Sequence, residues 1–129
     1  MILTITDETF SGTVTNEIKI EFDQVEITVK DLIEQRVSQE VAKYNNRLIE
    51  KFNGLIQPTE KENLLNAISK KEFRMIDGEQ QVYIALDAFQ KNGFFVLVDD
   101  KQVESLEERI QLRSMMKVSF IKLVPLVGG

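Results

Sequence analysis

In "EIKIEFD" the apolar side chains Ile18, Ile20 and Phe22 alternate with charged ones, the period of a strand with one buried face. Before it, the segment Ile2–Phe10 is rich in Ile, Leu and Thr, and "SGTVTN" separates the two. Together they predict a β-hairpin that turns at Gly12. At Thr28 the period changes. In "TVKDLIEQRVSQEVAKYNNRLIEKFNG" the residues Val29, Ile33, Val37, Val41, Tyr44, Leu48 and Phe52 recur at three- and four-residue spacing, which predicts a helix with that face buried. Thr28 serves as its N-cap, Asp31 closes a capping box from three positions on, and Gly54 ends it.

Helical patterning continues past Pro58, where Thr59 and Glu62 form a second capping box for a short helix carrying Leu64, Leu65 and Ile68. "DGEQQVYIALDAFQKNG" predicts a third helix, with Asp77 as cap, Val82, Ala85, Leu86 and Phe89 on one face, and Asn92-Gly93 as its stop. Strand patterning then returns. "FFVLV" is a short unbroken apolar run, as expected of a central strand covered on both faces, and "DDKQ" is a turn-prone connection to Val103. Leu106, Ile110 and Leu112 fit either a short helical turn or an edge strand. "KVSFIKLV" is the last strand, and Pro125 marks where regular pairing weakens, because proline cannot donate to a ladder. Val118 and Phe120 share one face of this strand, and Ser119, Ile121 and Leu123 share the other.

A hairpin, a helix laid across it and a last strand returning to the sheet predict an α+β fold with a mixed sheet, of the β-grasp type. The domain spans 1–124, with a helical insertion at 57–92 between the first helix and the third strand, and a tail at 125–129. The 129 residues suffice for one core and not for two. A formal charge of −5 argues against a nucleic-acid partner, since such proteins carry an excess of Lys and Arg. No apolar run approaches the roughly 18 residues of a membrane helix, so no membrane partner is expected. The start "MILTITDETF" shows no secretory pattern and the chain has no cysteine, which together point to a cytoplasmic location. Absence of both Cys and His excludes a thiol nucleophile, an imidazole base and the usual zinc site. No metal site and no enzymatic activity are expected of this chain.

The final residues are the candidate reactive part. Gly128 and Gly129 are thin enough to enter a space too narrow for a β-carbon, and they follow directly on an apolar strand. The stretch "FFVLVDDKQVESLEERIQLRSMMKVSFIKLVPLVGG" resembles the C-terminal half of the small sulfur carriers for molybdopterin and thiamine, and more distantly ubiquitin. Pro125, Leu126, Val127, Gly128 and Gly129 match the family's Pro-x-x-Gly-Gly tail, and "TVKDLI" from Thr28 matches the opening of its first helix. The resemblance covers roughly residues 1–50 and 94–129; the middle departs from it.

The resemblance implies that the Gly129 carboxylate is adenylated in the closed site of a ubiquitin-activating-like enzyme. Gly128 would act as spacer and Pro125, Leu126 and Val127 as the threading segment. ATP and magnesium would be used by that partner, and this chain would bind no cofactor itself. The acyl-adenylate has two implied fates: sulfur replaces one oxygen to give a thiocarboxylate, or the carbonyl passes to a cysteine and then to a target. The first makes a sulfur carrier. The second makes a prokaryotic-type protein modifier, with target proteins, a conjugating enzyme and a deconjugating protease as further partners; it is the leading expectation, because the extra helices favour a dedicated partner set. A third reading is a non-covalent β-grasp interaction module.

Other groups leave alternatives. Asp99 and Asp100 are a carboxylate pair, read as turn residues because their neighbours form a turn. Glu104, Glu107 and Glu108 form either a solvated face or a contact for a basic partner. Met115 and Met116 are either an adaptable contact surface or core filling. Ile121 and Leu123 either form an exposed partner-binding patch or are covered by the inserted helices.

Overall fold

The computed structural model describes residues 1–53 and 76–122, with side chains through Glu50 in the first span. Strands β1 (Ile2–Glu8) and β2 (Val14–Glu21) form the predicted hairpin, paired antiparallel from Ile2↔Glu21 to Asp7↔Asn16. The turn closes with the Gly12 amide on the Thr9 carbonyl at 2.9 Å, and Gly12 takes φ 90°, which a side chain would strain. Strand β3 (Glu26–Thr28) leads directly into helix α1 (Val29–Asn53). Its capping box is reciprocal: the Asp31 amide donates to the Thr28 hydroxyl, and the Thr28 amide to the Asp31 carboxylate, both at 3.1 Å.

Helix α2 (Gly78–Gln90) starts at Asp77, whose carboxylate accepts the Glu79 amide at 3.0 Å and the Gln80 amide at 3.4 Å. Its stop is the predicted Asn92-Gly93 pair, with the roles divided. Asn92 takes the left-handed conformation, at φ 61°. Gly93 comes so close that a β-carbon there would lie 3.1 Å from the Ala88 carbonyl oxygen. The predicted helix end at Gly54, the side chain of Phe52 and the short helix with Thr59, Glu62, Leu64, Leu65 and Ile68 lie outside the described residues.

Strands β4 (Phe94–Val98), β5 (Lys101–Gln102), β6 (Arg109–Gln111) and β7 (Val118–Lys122) follow. Five strands form one mixed sheet in the order β2-β1-β7-β4-β5, and β3 pairs with β6 in a separate two-stranded sheet. Strand β7 lies in the middle, parallel to β1 and antiparallel to β4. A hairpin, a crossing helix and a last strand inserted parallel to the first constitute a β-grasp sheet. Of the two readings for Ile110 and Leu112, the strand holds: both are buried where β6 closes against β3, and Leu106 precedes them in a turn packed on the core.

Two expectations need correction. "FFVLV" is not evenly covered on its two faces: Phe94 and Val96 are buried, whereas Phe95 and Leu97 are only half-buried, and both described helices lie on one side. Tyr44 is not on a buried face, being 45% exposed. Past Val41 helix α1 meets the start of α2 in place of the sheet, through Val41 beside Gly78 and through the Asn45 amide, which bonds both backbone groups of Ile76.

The core fills the space between the sheet's inner face and α1, from Leu3, Ile5, Ile18, Ile20, Val96 and Phe120 to Val29, Leu32, Ile33 and Val37. Into it project two charges that the hydrophobic pattern did not single out. Asp7 occupies the inward slot after Leu3 and Ile5, and Arg36 a slot on the buried face of α1; both are almost wholly buried. The Arg36 guanidinium donates to Asp7 Oδ2 at 2.6 Å, pairs with Glu40 one turn on, and lies 5.1 Å above the Phe120 ring. Lys122 Nζ approaches the same Asp7 oxygen at 3.0 Å.

Burial by itself would raise the Asp7 pKa, but Arg36 and then Lys122 outweigh it and hold the carboxyl below its ordinary value. Burial likewise disfavours the charged form of Arg36, yet Asp7 and Glu40 push its pKa up. Truncating one partner leaves the other charge buried and unmatched, so Arg36→Leu is expected to destabilise the fold by about 3–5 kcal/mol. The double variant Asp7→Leu/Arg36→Leu should recover most of that loss, read from urea unfolding midpoints. Because the folded pKa of Asp7 is depressed, its stabilisation is present above the unfolded value near ~3.9 and fades as pH falls below it. The stability gap between wild type and Asp7→Asn should therefore narrow on acidification below pH ~4, and a gap independent of pH would contradict the assignment.

Candidate functional site

The strand that leads into the Pro-x-x-Gly-Gly sequence is paired on both edges. Its neighbours are Ile5 through Glu8 of β1 and Phe94 through Val98 of β4, each in continuous register. Val118 and Phe120 face inward and are buried, with Phe120 stacked on Phe94 at 5.8 Å between centroids. Phe89 of α2 meets Phe94 edge-on at 5.7 Å, which places α2 on this inner face beside α1. Helix α2 therefore does not cover the opposite face, where Ile121 lies.

On that outer face Ile121 is half-buried between its register partners, Glu8 on β1 and Phe95 on β4. Phe10, 67% exposed, packs edge-on against Phe95 at 6.2 Å. Phe10, Phe95 and Ile121 thus form an apolar strip along the last strand, with two members that the sequence reading passed over. Beside the strip the outer face of the sheet turns polar, around Thr6, Glu8 and the buried Ser119. The Ser119 and Thr6 hydroxyls next to the Glu8 carboxylate lower its pKa, with Thr6 donating at 3.0 Å. Leu123 and the tail residues Pro125, Leu126, Val127, Gly128 and Gly129 lie outside the described residues.

The two methionines divide between their two readings. Met116 is core, at 8% exposure, whereas Met115 is 99% exposed and held at φ 64°. Met115 borders a hollow of about 270 Å³ that is also lined by Ile2, Thr4 and Lys117. Asp99 and Asp100 are the two central residues of the β4–β5 hairpin, with φ 49° and 67°, the conformation of a type I′ turn. Their carboxylates are committed to that loop: Asp99 pairs with Arg113 and accepts the Lys117 amide at 3.0 Å, and Asp100 pairs with Lys117. The turn reading of this pair therefore holds. Glu104, Glu107 and Glu108 are all exposed, and the Ser105 hydroxyl beside Glu107 lowers its pKa.

Among the described residues no three acidic side chains converge in a way that would hold a metal ion, and no helix is long and apolar enough to cross a membrane. The side chains brought together are an apolar strip on the central strand and, beside β1, a loop held by the Asp99–Arg113 and Asp100–Lys117 pairs that displays Met115. Compared with known proteins, the chain matches no family model, no curated protein and no solved structure.

Proposed function

We propose that this chain is a ubiquitin-like protein modifier, a macromolecular substrate whose reacting group is the Gly129 carboxylate. The observation that carries the reading is the placement of β7, the central strand of a β-grasp sheet, immediately before Leu-Val-Pro-Leu-Val-Gly-Gly. A rigid strand presents a tail to a partner's closed site, and two glycines keep that tail thin. In the proposed reaction a Gly129 carboxylate oxygen attacks the α-phosphorus of ATP, the bond to the β-phosphate oxygen breaks, and magnesium pyrophosphate leaves. The resulting acyl-adenylate passes its carbonyl to a thiol of the conjugating machinery, releasing AMP, and then to a target amine, releasing the thiol. The chemistry requires a free carboxylate on Gly129, whether present from synthesis or exposed by a protease.

The second reading, a sulfur carrier, shares the adenylation step and is favoured by the apolar Pro-x-x-Gly-Gly tail, which resembles that group more than ubiquitin's arginine-containing tail. The outer-face strip supports partner binding in either case, because half-exposed Ile121 and Phe95 with exposed Phe10 form an apolar patch next to the strand that leads to the reacting end.

Mass spectrometry of the protein recovered from its own cells is expected to find Gly129 in amide linkage to lysines of other proteins. Deleting Gly128 and Gly129 should abolish those conjugates. Replacement of one carboxylate oxygen by sulfur would make the chain a carrier instead, and an unmodified carboxylate under all conditions would leave only the non-covalent module. Ile121→Asp is expected to weaken capture of the adenylating enzyme while costing less than about 2 kcal/mol of stability. Phe120→Ala, in the core, should cost about 3–5 kcal/mol, and an equal loss for Ile121→Asp would show that Ile121 is core.

A further inference from the structure

Lys122 occupies an unexpected slot. Strand alternation places it with Val118 and Phe120 on the inner face, where an apolar residue would complete the core. It is instead a long cation, its side chain only 25% exposed, reaching Asp7 Oδ2 at 3.0 Å. That oxygen is already bonded by Arg36 at 2.6 Å, and Arg36 is also paired with Glu40, so the Asp7–Arg36 bond does not depend on Lys122. What Lys122 adds is a connection. Asp7 stands on β1 and Arg36 on α1, while Lys122 is the last residue of β7, immediately before residues 123–129. Four groups, two of each sign, thus join the hairpin, the helix and the exit of the last strand.

We propose that the Asp7–Lys122 ion pair is a positioning device that fixes the point from which the Gly-Gly tail departs, with Asp7 and Lys122 as positioning residues for the reaction at Gly129. The inference rests on the reading of Gly129 as the reacting residue. Its physical basis is preorganisation: a segment that starts from a fixed backbone loses less conformational freedom on entering a partner site than one whose anchoring strand frays. The ladder alone holds this end residue weakly, since Lys122 pairs with Phe94 of β4 but the register with β1 stops at Ile121. A side-chain bond into the buried charge cluster ties that end to the most rigid part of the molecule. Asp7 is suited to the task because its carboxylate is itself fixed by Arg36 and cannot follow a moving lysine.

The chain contains no cysteine, so two can be introduced as unique labelling sites. Nitroxide labels on Gln35→Cys, exposed on α1, and on Val124→Cys report the distance distribution between the helix and the segment after β7 by pulsed electron spin resonance. In the otherwise wild-type chain a narrow distribution is expected. Lys122→Met should broaden it measurably, because the end of β7 is then held by its ladder alone. Lys122→Arg, which keeps the charge, should restore the narrow distribution, which a merely space-filling role for the side chain would not require. Circular dichroism melts verify that each variant is folded, and Lys122→Gln takes the place of Lys122→Met if the latter does not fold. An unchanged distribution in the folded, charge-free variant would overturn the inference. Because the labels report no chemistry, this outcome is separate from the fate of Gly129: normal conjugation with an unchanged distribution would remove only the positioning role, and absence of any Gly129 product would remove the reading beneath it.

Discussion

Asp7 and Arg36 are buried together in a core otherwise built from aliphatic and aromatic side chains, and each is made tolerable there chiefly by the other. Removing either charge from water costs several kcal/mol, so the pair must form with good geometry whenever the helix docks on the hairpin. That requirement constrains the fold more tightly than the surrounding apolar contacts do. Aliphatic side chains accept many sliding arrangements of a helix on a sheet, whereas a guanidinium 2.6 Å from one carboxylate oxygen accepts very few. The pair also extends beyond its own two elements. Glu40 neutralises Arg36 from the next turn of α1, and Phe120, at the centre of the sheet, receives the guanidinium on its ring face. One Asp7 oxygen, Oδ1, and one Arg36 nitrogen, Nη1, have no hydrogen-bond partner among the described residues.

The same cluster shows where the sequence was legible and where it was not. The hairpin, the capping box at Thr28 and Asp31, the Asp77 cap and the Asn92-Gly93 stop are local events, each decided by residues within a few positions, and the pattern identified them all. Tyr44 was misplaced because helical periodicity says which face is apolar but not how far along the helix the sheet extends. Arg36 and Asp7 were overlooked although the signal was present: each fills a slot in an otherwise apolar series, Leu3-Ile5-Asp7 on the strand and Ile33-Arg36-Val37 on the helix. A single charge in an inward slot reads as an irregularity. Two of opposite sign, on elements already predicted to pack together, read as a pair. The strip of Phe10, Phe95 and Ile121 was less accessible, because its members come together only through the register of β7 between β1 and β4, a non-local fact.

That register gives the sheet its asymmetry. Both described helices lie on the inner face, which leaves the outer face with a polar half around Thr6, Glu8 and Ser119 and an apolar strip around Ile121. Among the described elements, strand β7 touches every part of this arrangement: core on one side, strip on the other, and Lys122 at its end in the charge cluster. A chain that acts by presenting its end to another protein needs that end supported, and support is a matter of how many independent contacts must fail before it moves. For β7 these are two hydrogen-bonded ladders, one aromatic stack and one ion pair. The two ladders follow from the topology alone, and any β-grasp sheet would supply them, whereas the stack needs Phe94 and Phe120 at facing positions. The ion pair does not follow from topology. It exists because a lysine stands where the alternation calls for an apolar residue, and it reaches the one buried carboxylate whose position the rest of the core has already fixed.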